Sequence, residues 1–210
     1  MDLYKMSFWQ IFLSGGVMMW PILLCSVFGM GIIFEKFWYL YRVWIDTQDF
    51  LSRILEKMKR HEIKEALQIC DNTNSPIANI LKAGILKYDR PKQQIVEAIE
   101  DASLYEVPLV EKNLAILATI AHVAPLLGLL GTVIGMARSF QAIQARAAAF
   151  HPVTPADISA GIWEALLATV AGLIVAIPAF LAYNYFVNRA SQFILEMEKA
   201  STELVNFLTE

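Results

Sequence analysis

Glu164 sits in the stretch ISAGIWEALLAT, residues 158–169, as the single charge near the head of a long apolar run, with the Thr169 hydroxyl five residues on. A carboxyl can take up and release a proton, and a hydroxyl both donates and accepts a hydrogen bond, so the pair suits proton handling. Thr132, in the run LLGLLGTVIGMA, supplies a second hydroxyl at comparable depth if the two apolar runs pair antiparallel. His122 lies in that same run; it has the chemistry of a proton relay, but a ring bonded to a neighbouring helix explains it more simply. No Lys or Arg falls inside an apolar run. The charge that neutralises Glu164 is therefore expected to be a proton, a transported cation or a residue of another chain.

Membrane helices must position these groups. The chain has 210 residues, of which 57% are hydrophobic and 18% charged, and its mean hydropathy is +0.48. A hydrocarbon core about 30 Å thick needs roughly 20 apolar residues of helix, and three runs satisfy this: about 8–34, 113–137 and 162–187. The first carries no charge, is too long for a secretory signal and has no small-residue cleavage site, so it reads as a retained span that also targets the chain. A charged side chain within a span costs at least about 2.5–3.5 kcal/mol even on lenient scales, so Glu164 is expected to be functional or paired.

Small residues mark where the spans meet, because lipid gives helices little hydrophobic reason to associate. Gly128, Gly131 and Gly135 line the second span; Ala160, Glu164, Ala168, Gly172 and Ala176 recur every four residues in the third, with Gly161, Ala165 and Thr169 beside them. That stripe turns Glu164 away from lipid. Pro21, Pro125 and Pro178 read as tolerated bends. Lys36, Arg42, Arg53, Lys112, Arg189 and Lys199 flank one side of the spans and Lys5, Arg138 and Arg146 the other, which predicts an outward N-terminus and an inward C-terminus.

The segment 35–112 is then cytoplasmic and helical. Phe34, Phe37, Trp38, Tyr41, Val43, Trp44, Phe50, Leu51, Ile54, Leu55 and Met58 keep three- and four-residue spacing, which predicts that the first span continues inward as an amphipathic helix. DNTNSP (71–76) and YDRP (88–91) are turn signals, and Pro108 predicts a kink in the helix leading to the second span. Phe193, Met197, Ala200, Leu204 and Phe207 extend the third span through a helix at 188–210. The expectation is one all-α unit over 1–210, with three transmembrane helices and long cytoplasmic extensions. A net charge of −3 with scattered Lys and Arg gives no reason for a nucleic-acid partner, Cys25 and Cys70 imply no disulfide framework, and no nucleophile, metal or phosphate motif points to an enzyme or a cofactor.

APLLGLLGTVIGMARSF (124–140) and GIWEALLATVAGLIVAIPAFLAYNYF (161–186) resemble the two signature spans of the MotA/TolQ/ExbB proton-channel family, and GGVMMWPILLCSVFGMGIIFEKFWYL (15–40) resembles its first span. The likeness covers about half of the chain and lies with the ExbB and TolQ branches, since MotA has four spans. It implies a homopentameric ring in the inner membrane enclosing single spans of an ExbD or TolR type partner. Proton flow through an aspartate of that partner would drive relative movement, delivered to a TonB or TolA type protein. Carried over by position, Thr132 and Thr169 match the pore-lining threonines and Glu164 the intramembrane glutamate. Ala160 stands where the family commonly has proline, and Trp163 where a small residue is usual. A non-conducting membrane scaffold is the alternative; a secondary transporter would need an inverted repeat and broken helices, which the sequence does not signal.

Overall fold

Apolar residues at helical spacing dominate the chain, and every regular element among the described residues is a helix. The computed structural model describes residues 7–43 and 45–209. Lys5 and Trp44, used above for orientation and for the amphipathic pattern, lie outside the described residues. In chain order the helices are α1 (Phe8–Ser14), α2 (Met19–Val43), α3 (Thr47–Lys59), α4 (Ile63–Asn72), α5 (Pro76–Ile85), α6 (Lys92–Glu111), α7 (Leu114–Ala148) and α8 (Pro155–Thr209). Three helical stretches, starting at Met19, Lys92 and Pro155, are long and apolar enough to cross a membrane. This is an all-α membrane protein. Two compact units divide it: residues 1–34 with 115–184, and residues 35–114 with 185–210.

The first unit holds the apolar parts of α1, α2, α7 and α8. Its helices meet through small residues: Ala121, Ala124, Ala165, Ala168, Ala176 and Ala179 are buried, whereas Leu126, Leu129, Val133, Leu166, Val170 and Ile174 are exposed. The apolar run that begins at Phe8 is not one helix. It breaks after Ser14, where Gly16 adopts φ +75°, a left-handed conformation that favours glycine, and α2 starts only at Met19. A break inside a span is thus present although no such signal was expected; the Gly15-Gly16 pair is its sequence mark.

The second unit buries larger side chains. Ile54 of α3, Ala66 and Cys70 of α4, Ile77, Leu81 and Ile85 of α5, Ile95 and Ile99 of α6, and Phe193, Met197 and Leu204 of α8 form its core. The turn signals at 71–76 and 88–91 fall between α4 and α5 and between α5 and α6, with Pro76 opening α5. Other boundaries differ from expectation. The inward helix does not run on through residue 58: α2 ends at Val43, and Asp46 caps α3 by accepting from the Gln48 and Asp49 amides at 3.1 and 3.2 Å. Phe34, Phe37, Trp38 and Tyr41 are consequently exposed, while Leu40, Val43 and Phe50 are buried. α6 runs through Pro108 to Glu111, and the break comes at Asn113, whose φ is +64°.

Lys36 departs most from its expected place. As a flanking cation it should reach headgroups, yet it is 1% exposed. Its ammonium donates to the carbonyls of Val110 at 3.0 Å and Leu109 at 3.5 Å, and lies 5.0 Å from the centre of the Tyr39 ring. Those carbonyls belong to the last turn of α6, which has no helical partners for them. Burial pushes the ammonium below the ordinary lysine value, with Glu35 opposing and Lys112 adding to the shift.

Candidate functional site

Glycines let α7 and α8 approach until backbone meets backbone. A methyl group on Gly135 would stand 2.5 Å from the Gly161 carbonyl oxygen and 2.9 Å from Ala165 Cβ; one on Gly128 would stand 3.0 Å from the Ala168 carbonyl oxygen, and one on Gly172 2.6 Å from that of Ala124. Gly131 faces the Ala168 methyl. The pairings run in opposite directions along the two helices, as expected for neighbouring antiparallel spans. Over residues 155–184 the buried residues of α8 are Gly161, Ala165, Ala168, Gly172, Ala176 and Ala179, so the seam mixes steps of four and three, while Ala160 is exposed. A strict four-residue stripe drifts around a helix of 3.6 residues per turn, which is why Ala160 leaves the seam and Gly161 replaces it.

Glu164 lies at the edge of this seam with its side chain 15% exposed. Its Oε1 accepts a charge-assisted hydrogen bond from Arg138 Nη1 of α7. On another side it rests against Gly16, at the break before α2, where a side chain would displace the carboxyl. The carboxyl thus has a cation in its own chain, contrary to the expectation that only a proton, a transported cation or another subunit could neutralise it. Arg138 follows the apolar run by one residue and was read as a flanking charge; its long side chain reaches back beside α8 instead.

The two threonines are engaged elsewhere. Thr132 Oγ1 donates to the Leu129 carbonyl at 2.6 Å, within its own helix. Thr169 Oγ1 is placed between the Ala165 carbonyl of its own helix, at 3.2 Å, and the Gly128 carbonyl of α7, at 3.3 Å. Having one proton, it can serve only one of them at a time. Thr169 and Thr132 thus stand about one helical turn apart in depth, and neither hydroxyl is bonded to Glu164. His122 Nδ1 donates to the Ala118 carbonyl of its own helix at 2.7 Å, and its ring meets Phe180 of α8 edge-on at 6.2 Å. Its bond is within α7 rather than across to a neighbour.

Near the α7–α8 turn, Ser139, which is buried, donates to the Ile158 carbonyl at 3.0 Å. Asp157 accepts from the Thr154 hydroxyl at 2.7 Å and amide at 3.0 Å, and pairs with Arg146 at 3.0 Å. The Thr154 hydroxyl and amide, and then Arg146, hold the Asp157 carboxyl below the usual carboxylate range. Residues that sequence reasoning passed over are therefore Gly16, Arg138 and Ser139. For Arg138 the signal was available: it is the first cation past the glycine seam.

The arrangement is a narrow, small-residue seam with one ionisable carboxyl at its rim, a guanidinium on it, and two hydroxyls deeper in. Relatives share this chain's pattern. It is 30% identical over 190 residues to a biopolymer transport protein ExbB homolog of Methanothermobacter thermautotrophicus, covering 90% of this chain and 66% of the relative. It is 35% identical over 132 residues to the Tol-Pal system protein TolQ of Pseudomonas aeruginosa, covering 58% of this chain and 55% of the relative. It is 37% identical over 118 residues to the biopolymer transport protein ExbB of Aquifex aeolicus, covering 56% of this chain and 76% of the relative. The chain thus spans about half to three quarters of the length of these relatives. Residues 72–199, which contain both sides of the glycine seam together with Arg138 and Glu164, match the model of the MotA/TolQ/ExbB proton channel family, and the chain belongs to that family.

Proposed function

We propose that this chain is the channel and motor subunit of an ExbB/TolQ-type complex in the inner membrane, coupling proton flow to mechanical work on the cell envelope. The observation that carries the reading is the lone intramembrane carboxyl at the rim of the α7–α8 seam, in a chain of this family. Five copies would form a ring around single spans of an ExbD or TolR type partner. Their contact surfaces would be drawn from the large apolar residues that α7 and α8 leave exposed, such as Leu129, Val133, Leu166 and Val170. Thr132 and Thr169 would line the path from the level of Glu164 inward, each able to release its helix carbonyl and turn to water. The N-terminus faces outward and the C-terminus the cytoplasm, with the work passed to a TonB or TolA type protein. One charge crossing 100 mV releases about 2.3 kcal/mol, enough to bias one step of a ring against its partner.

Glu164→Gln and Thr169→Val are expected to abolish energised envelope function while the assembled complex is still recovered by affinity purification. Full activity in both variants would sink the proposal. The Arg138–Glu164 bond favours a second reading, a non-conducting scaffold in which Glu164 ties α7 to α8. Glutamine can keep a hydrogen bond to the guanidinium, so on that reading Glu164→Gln is nearly silent.

A further inference from the structure

We propose that Arg138 sets the ion selectivity of Glu164, its guanidinium filling the cation side of the carboxylate so that the site takes a proton and refuses an alkali cation. The inference rests on the proton-channel reading above and names what would make that channel proton-specific.

Three observations converge. First, Arg138 and Glu164 are bonded directly, and Arg138 keeps 46% of its side chain exposed, so it is not packed into the seam. Second, the carboxyl lies against the Gly16 backbone, so this approach is filled by a group that carries no side chain. Third, among the described residues no hydroxyl is hydrogen-bonded to the carboxyl, whose partner is Arg138. The hydroxyls of Thr132, Thr169 and Ser139 donate to the helix carbonyls of Leu129, of Ala165 or Gly128, and of Ile158. Asp157, two turns earlier on α8, is held by Arg146 and Thr154. Among the described residues, Arg138 is the charged group bonded to Glu164.

An alkali cation must exchange its hydration shell for several oxygens, and here one carboxylate is offered with a positive charge already on it. A proton makes no such demand. It adds to one carboxylate oxygen, forming an O–H bond and leaving a neutral acid; the guanidinium keeps its own charge and swings out to water. Loss of that proton restores the carboxylate and the pair. Arginine does not deprotonate in proteins, so Arg138 acts as a counter-ion and positioning residue, never as a relay.

The test uses the full chain in neutral phosphatidylcholine liposomes. Infrared difference spectra are recorded as sodium replaces choline at constant ionic strength and pH, with Glu164 bands identified by their loss in Glu164→Gln. Wild type and Arg138→Lys should show no sodium-induced change, and Arg138→Gln should gain a saturable one. The proposal is overturned if sodium moves the Glu164 bands in wild type. It is equally overturned if Arg138→Gln stays silent to sodium while its Glu164 bands still respond to a pH step. Should Arg138→Gln fail to fold, wild type and Arg138→Lys decide: silence in both supports the proposal, and a sodium response in either overturns it. Unimpaired energised function in both Glu164→Gln and Thr169→Val cells would remove the channel reading and leave these spectra unchanged, so the two failures are distinct.

Discussion

The two units solve packing in opposite ways. In the unit of residues 1–34 and 115–184, glycine and alanine make up most of the interior beside a few larger residues such as Ile22, Leu117 and Ile120, while Leu129, Val133, Leu166 and Ile174 lie outside; in the unit of residues 35–114 and 185–210, Ile54, Ile77, Leu81, Phe193 and Leu204 are inside, and ion pairs such as Arg53–Asp49 and Arg60–Glu56 lie on the surface. The solvent accounts for the difference. Lipid is as apolar as leucine, so close backbone contact is what holds the first unit together, and its large side chains can face lipid. Water expels apolar area, so the second unit is held by burying it. The same residue type therefore has a different weight in each.

The sharpest test of this contrast is a pair of leucine truncations. Leu204→Ala, in the second core, should cost about 2–5 kcal/mol in unfolding free energy, whereas Leu166→Ala, 57% exposed on α8, should leave the unfolding midpoint in detergent nearly unchanged. Equal costs would break the comparison. Next in size is a pH effect confined to the second unit. Burial, and then the charge of Asp71, push the Cys70 thiol up to about 11 from 9.0, so the unfolded chain loses this proton first. The stability carried by the neutral thiol is complete below pH 9 and is lost as pH rises towards 11, on the order of 2–3 kcal/mol in all. Unfolding midpoints of wild type minus Cys70→Ala should be flat below that window and fall through it.

Glycine substitutions separate the units from the other direction. Gly135→Ala drives a methyl into the Gly161 carbonyl and should cost about 1–3 kcal/mol. Gly84→Ala meets the tip of the Ile99 side chain at 2.8 Å, which can turn aside, and it gains helix propensity, so thermal unfolding should show it close to neutral. The smallest effect is Asp46→Ala, which removes the α3 cap and should cost about 1 kcal/mol by the same measurement.

Much of this was legible in the residues. Apolar runs marked the three long helices, turn dipeptides marked both ends of α5, and the glycines of GLLGTVIG pointed to the seam they occupy. These signals are local, or repeat with the helix. The pairing of Glu164 with Arg138 was missed because partners were sought only inside the spans, whereas an arginine stem is long enough to return from beyond a helix's apolar end. The breaks at His61 and Asn113, both with positive φ, carry no glycine or proline at the residue itself. Asparagine and histidine are among the non-glycine residues that tolerate a positive φ, a weaker local signal than glycine or proline. Thr132 and Thr169 were expected at comparable depth and stand about one turn apart, and a hydroxyl's choice among carbonyls depends on neighbours within 3–4 Å, which spacing does not supply.

Lys36 has a use beyond architecture. Amine-reactive reagents modify the lysine side chains that water reaches, and this ammonium, sealed among carbonyls at the end of α6, should be passed over while exposed lysines are labelled. Its mass-spectrometric footprint is therefore a built-in reporter: a label on Lys36 in the working complex would time-stamp each opening of the α6 terminus, without any probe being added to the chain.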